Sequence, residues 1–276
     1  MNELSLELFW KPYLAGACFS LCLPLLGLYL RLRREYGAAL AYGQIGALGA
    51  VGALALGLPT LLGGLMTSLA AASGKHWLSR RLPESGLFPL LFLLGWSGTL
   101  LLAANLPAVE HLGQALFEGQ LYFVSRELLY GALTACLLGA VLLRRWGRYL
   151  LLAELYPAHF LARGQSVWPV QVGFDLLAAA ALALAVMCLG VMGAFALVFA
   201  PPWLAFILAP DWRLARRVAP ALAFFAYTLA FVLALYGDQP FGPVLTLALT
   251  GITLVLLVFS ALMRRTKIFS RNENPL

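Results

Sequence analysis

Residues 174–209 read FDLLAAAALALAVMCLGVMGAFALVFAPPWLAFILA, thirty-six positions whose only charge is Asp175. A helix that is apolar all round is buried in a large core or in a membrane. One membrane crossing takes about 20 apolar residues, so this run holds two crossings. The segment Gly190-Val191-Met192-Gly193 marks the break between them. Pro201 and Pro202 then interrupt the second crossing, and the carbonyls they free need partners from protein rather than from lipid.

The rest of the chain follows the same pattern. Of 276 residues, 62% are hydrophobic and 11% charged, with a mean hydropathy of +0.87. A soluble domain carries about 25% charged residues, and one this apolar would expose greasy patches that soluble monomers avoid. Nine apolar runs are legible, at 12–30, 37–58, 59–73, 87–106, 128–143, 174–190, 191–209, 218–236 and 243–263. The expected fold is therefore an all-α, polytopic membrane bundle of eight or nine transmembrane helices, forming a single domain over 1–276. The first eleven residues carry Glu3 and Glu7 and no basic cluster, so the chain is read as lacking a cleavable signal peptide.

Basic residues orient the bundle. With the N-terminus outside and nine crossings threaded, 17 of the 19 Lys and Arg fall on the inner side, leaving Lys11 and Arg126 outside. The acidic residues divide evenly, as expected when positive charge alone sets topology. The C-terminus is then cytoplasmic, and the net charge of +7 reads as a topology signal and an attraction to membrane lipid, not a nucleic-acid footprint.

Several chemistries are disfavoured. Proton- or voltage-driven transport leaves ionisable groups within the spans, yet no acidic residue lies deep in a run and Asp175 stands only at a span entrance. Polarity inside the runs is limited to groups such as Gln44, Ser68, Ser97, Thr99 and Thr134, read as bonding their own helix or a neighbour. No G-x-x-x-x-G-K-[ST] loop is present, so uphill transport would draw on ATP hydrolysis in a partner chain. His76, His111 and His159 read as scattered in loops, with no catalytic cluster, and no cofactor is implied. Cys18, Cys22, Cys136 and Cys188 lie in apolar runs and read as packing residues; a soft metal on Cys18 and Cys22 is the alternative.

The longest inner connection, 144–172, contains ELYPAHFLARG at 154–164. Pro157 suits a first helical position and Gly164 the residue just past a helix end, which predicts a short surface helix over 157–163. It shows Phe160 and Leu161 on one side, with His159 and Arg163 elsewhere. It is either an interfacial loop or a docking helix for a cytoplasmic ATPase.

These pieces resemble the zinc/manganese/iron class of ABC importer permeases over nearly the whole chain. The resemblance rests on LRR at 32–34, the small-residue helix 39–57, the basic turn WLSRR at 77–81, the loop 153–165, LGVMGAFALVFAP at 189–201 and PFGP at 240–243. It implies an inner-membrane permease subunit of a bacterial importer, paired with a copy of itself or a sister chain. It implies further a cytoplasmic ATP-binding subunit docked on Pro157, His159, Phe160, Leu161, Arg163 and Gly164. An extracytoplasmic solute-binding protein would dock on 107–127, with Glu110, His111 and Glu118.

The second helix of that family carries an Asp and a His four residues apart as metal ligands. A gap-free count from Arg34 puts Leu40 and Gln44 at those positions, with Tyr42 between them. Leucine cannot ligate a cation, and an amide is a poor partner for zinc. The solute is then a free metal, a metal chelate or a non-metal, with Leu40, Tyr42 and Gln44 as candidate path residues. A membrane enzyme acting on a lipid-like substrate, or a non-transporting scaffold, is the rival reading.

Overall fold

Gly190 is where the longest apolar run turns back on itself. The protein is described here by a computed structural model, covering residues 3–78, 84–119, 121 and 124–272. Arg80 and Arg81 of the expected basic turn lie outside the described residues. Helix α8 spans Trp168–Leu208, and the one residue of non-helical backbone inside it is Gly190, at φ 77° and ψ 165°. Side chains are disfavoured at that φ, and a Cβ there would lie 2.7 Å from the Gly119 amide nitrogen. Both halves return to the end of α1 (Glu3–Leu32): Arg33 bonds Asp175 on the first half, and Arg31 bonds the Trp203 carbonyl on the second. In a straight helix those two positions would be about 42 Å apart. Helix α8 is therefore two antiparallel passes.

The remaining elements are α2 (Tyr36–Ala55), α3 (Thr60–Leu78), α4 (Glu84–Asn105), α5 (Pro107–Glu118), α6 (Arg126–Leu155), α7 (Pro157–Ala162), α9 (Trp212–Gly237) and α10 (Phe241–Asn272). Seven helices are long and apolar enough to cross a membrane. Among the described residues these are α1, α2, α4, α6, α8, α9 and α10, with α8 folded into two passes, while α3 packs alongside α2 and α8. One end of the bundle gathers Arg33, Glu35, Lys75 and Asp175. The other gathers the Gly190 turn, Gly119 and Gly242.

Three expectations are corrected. Pro201 and Pro202 do not interrupt the helix, which continues to Leu208. Gly27 on α1 is what permits this: with no side chain, it lets α1 close directly onto the Val198 carbonyl that Pro202 leaves without its helical donor. Arg31 caps the next stretch by donating to the Trp203 carbonyl at 2.8 Å. The connection 144–172 is also mostly helical, since α6 continues to Leu155 and α8 begins at Trp168. The segment 107–127, expected on the outer side, begins with α5, which buries Val109, Gly113, Ala115 and Leu116 and leaves Glu110, His111 and Glu118 exposed.

Candidate functional site

Helix α2 is packed between α3, α4 and α8. Its Gly/Ala composition lets backbones approach closely, and α3 covers one side through two hydroxyls. Thr67 donates to the Ile45 carbonyl at 3.0 Å, and Ser68 to the carbonyls of Tyr42 and Ala179 at 3.1 and 2.9 Å. Ser68 thus bonds across to neighbours, whereas Thr99 and Thr134 bond their own helices. Helix α4 covers the opposite side at Gly95, where a Cβ would lie 2.6 Å from the Gln44 carbonyl carbon.

The three candidate path residues take different environments. Leu40 is half-buried. Tyr42 is fully buried, its ring edge-on to Phe88 with centroids 6.3 Å apart. Gln44 is fully buried as well, and neither polar atom of its amide has a hydrogen-bond partner among the described residues. A buried polar group left unpaired costs about 1–3 kcal/mol. The expected bond from Gln44 to its own helix or a neighbour is therefore not made in this conformation, and the amide lies beneath α4. No group of three or more His, Cys, Asp or Glu suited to a metal ion occurs among the described residues.

Below α2 lies a cluster that the run-by-run reading missed. Arg33 donates from Nη1 to Asp175 Oδ1 at 2.7 Å and from Nη2 to Asp175 Oδ2 at 3.3 Å, a two-toothed pair. Its Nη2 also reaches Glu35 Oε1 at 3.1 Å. Lys75 Nζ donates to Glu35 Oε2 at 2.8 Å and to Asp175 Oδ2 at 3.1 Å. Two cations and two carboxylates thus close a neutral ring, with side chains 1–9% exposed. His76 Nε2 stands 3.1 Å from Asp175 Oδ2 but is not aligned to hydrogen-bond it. Burial raises the Glu35 carboxyl above its usual range, against the pull of Arg33 and Lys75. Burial works against the Arg33 charge too, but Asp175 and Glu35 override it and hold its pKa above the ordinary guanidinium value.

This ring ties together the end of α1, the start of α2, the last turn of α3 and the first half of α8. His76 accordingly belongs to α3 and not to a loop, and His111 and His159 lie on α5 and α7. The signal was in the sequence: all four ring members sit at span ends that charge counting places on the same side of the membrane. Counting Arg33 and Lys75 as topology markers obscured their role as buried counterions.

Helix α7 runs Pro157–Ala162, one residue shorter than expected, and the Gln165 amide donates to the Phe160 carbonyl at 3.1 Å across Gly164 at φ 61°. That bond is the helix-ending pattern in which a left-handed glycine lets the chain turn back. Phe160 is buried, 4.8 Å from the Tyr149 ring of α6, and does not stand on the outer surface. Pro157, Ala158, His159, Arg163 and Gly164 are exposed, and the Leu161 side chain lies outside what is described. At the opposite end of the bundle, a cavity of about 790 Å³ is lined by His111, Gln114, Glu118, Asp238 and Gln239 over an apolar floor that includes Phe241.

A model of the ABC 3 transport family matches residues 5–260. Two solved structures share the fold. One is PsaBC from Streptococcus pneumoniae in complex with Fab, at 14% identity and TM-score 0.78, with 90% of each chain covered. The other is described as a metal-chelate type ABC transporter in an inward-facing conformation, at 15% identity and TM-score 0.70, covering 96% of this chain and 90% of that one. No curated protein matches this chain.

Proposed function

Since the chain belongs to the ABC 3 transport family, and is thus a transport permease whose ATP hydrolysis resides in a partner, we propose that it imports a metal in chelated form. The observation that carries this reading is Gln44, a buried amide with a free donor and a free acceptor at the position where the family resemblance implies a histidine ligand. An amide bonds the polar periphery of a chelate or a hydrated ion, and does not replace the inner ligands of bare zinc. The likeness in fold to a transporter of the metal-chelate type supports the same choice.

In this reading a solute-binding protein delivers the chelate to the end bearing His111, Glu118 and Asp238, whose imidazole and carboxylates suit a cationic complex. The solute passes along α2 when α4 withdraws from Gln44, with Tyr42 and Leu40 on the same path. A second permease chain, identical or sister, completes the channel. The cytoplasmic ATPase docks on Pro157, His159, Arg163 and Gly164, and Phe160 braces that segment from behind. The chain sits in a bacterial inner membrane with its N-terminus outside and its C-terminus in the cytoplasm.

Reconstitution with the ATPase and binding protein tests the solute. Radiolabelled iron, zinc or manganese should enter proteoliposomes as a chelate and not as the free ion; entry of the free ion alone sinks the reading. Gln44→His with Leu40→Asp should create binding of about one free zinc or manganese per chain, read by metal analysis, since His and Asp are ordinary ligands for such ions. The same variant should lose chelate uptake. If neither quantity changes, these positions do not line the path.

Orientation has a separate test. In a background without the native cysteines, Ser166→Cys should resist membrane-impermeant thiol reagents in intact cells, and Glu110→Cys should react. Labelling of position 166 from outside would reverse the topology and remove the ATPase from α7.

A further inference from the structure

The basic residues that charge counting leaves at the far end of the bundle, Lys11 and Arg126, are 115 positions apart in sequence. They line one and the same groove, of about 560 Å³, between α1 and α6. Trp10 and Tyr130 flank it, 50% and 64% exposed, and the Lys11 ammonium stands 5.9 Å from the Trp10 ring centroid. One to two turns further along the helices the lining includes Leu14, Leu129 and Leu133.

This is a graded surface. Lys and Arg with an amphipathic aromatic beside each is the composition of the headgroup level of a bilayer, and leucine that of the hydrocarbon below it. Helix α6 adds its N-terminus, capped by Ser125, whose side chain accepts from the Leu128 amide at 3.2 Å. Helix N-termini favour anions. Glu127, the acid next to Arg126, is exposed and outside the groove lining.

We propose that this groove is a binding site for an anionic phospholipid, with its phosphate between Lys11 and Arg126 and an acyl chain along Leu14, Leu129 and Leu133. Charge complementarity selects the occupant. A protein partner would not need the leucine floor at hydrocarbon depth, and a free phosphate would leave that floor uncovered. By bridging α1 and α6 at this end, the bound lipid fastens one edge of the bundle without touching the α2 path. The proposal stands whether or not the solute is a chelate.

The test is native mass spectrometry of the full-length protein released from nanodiscs of mixed phosphatidylglycerol and phosphatidylcholine. The wild-type chain should retain phosphatidylglycerol over phosphatidylcholine. Lys11→Gln with Arg126→Gln should cut that preference by about tenfold or more, given roughly one kcal/mol for each basic residue near an anionic surface. Lys11→Arg with Arg126→Lys should keep it, which separates charge recognition from misfolding. Leu14→Asn with Leu133→Asn, the two groove leucines outside the buried core, should lower lipid retention while leaving the headgroup preference. Three outcomes overturn the proposal: an unchanged preference in the double Gln variant, displacement of the lipid by millimolar inorganic phosphate, or unchanged lipid retention with lost association of the solute-binding protein.

Discussion

Asp175→Ala should lower the stability of the detergent-purified protein by about 3–5 kcal/mol, the cost of breaking a buried ion pair from one side. Asp175 is 1% exposed and takes two bonds from Arg33 and one from Lys75. Without it, Glu35 alone faces two buried cations, and the ring carries a net positive charge at a junction of four helices. The thermal midpoint, followed by tryptophan fluorescence, should fall on the order of 10 °C at the ordinary scaling of a few degrees per kcal/mol. Asp175→Leu combined with Arg33→Met should recover most of the loss, because an apolar replacement of both partners leaves no charge stranded. The remaining Lys75–Glu35 pair is neutral by itself, with its 2.8 Å contact intact. If Asp175→Ala melts like the wild type, the ring does not hold these helices together.

Ala158→Asp with His159→Asp should abolish co-purification of the ATPase and reduce solute uptake to background, with membrane insertion and melting unchanged. Both side chains are exposed at the tip of a segment pinned from behind by Phe160 on Tyr149. Two carboxylates introduced into the centre of an interface cost several kcal/mol when desolvated without partners. Phe160→Asp is the contrasting variant. It puts a charge against the Tyr149 ring inside this chain, so it should loosen the protein itself and lower its melting point. Unimpaired ATPase binding in the Ala158/His159 variant would assign α7 another role.

The sequence carried the class of fold because membrane solvation acts on every residue of a span at once. An apolar run of about 20 residues needs no tertiary information to be read, and each of the nine runs falls largely on a helix of the described residues, two of them on the halves of α8. The break at Gly190 was legible for a similar reason, since a 36-residue run with a single charge at its edge exceeds one crossing and a glycine interrupts it. The prolines misled because their effect depends on a neighbour. Pro201 and Pro202 would end an isolated helix, but Gly27 on another helix accommodates the carbonyl they expose.

The site divides along the same line. Which residues stand on α2, and that Leu40 and Gln44 lack the charge and basicity of metal ligands, follow from the residues alone. That Gln44 lies unpaired beneath Gly95 depends on how closely α4 approaches. Amphipathic rules could not turn Phe160 inward, because its partner Tyr149 belongs to a helix expected to have ended before it. Arg33, Glu35, Lys75 and Asp175 each looked like ordinary charges at span ends. Hydropathy is summed along the chain and so is written in the sequence, whereas ion pairing falls off within a few ångströms of space. Only the folded arrangement could bring four residues from positions 33 to 175 into one buried ring.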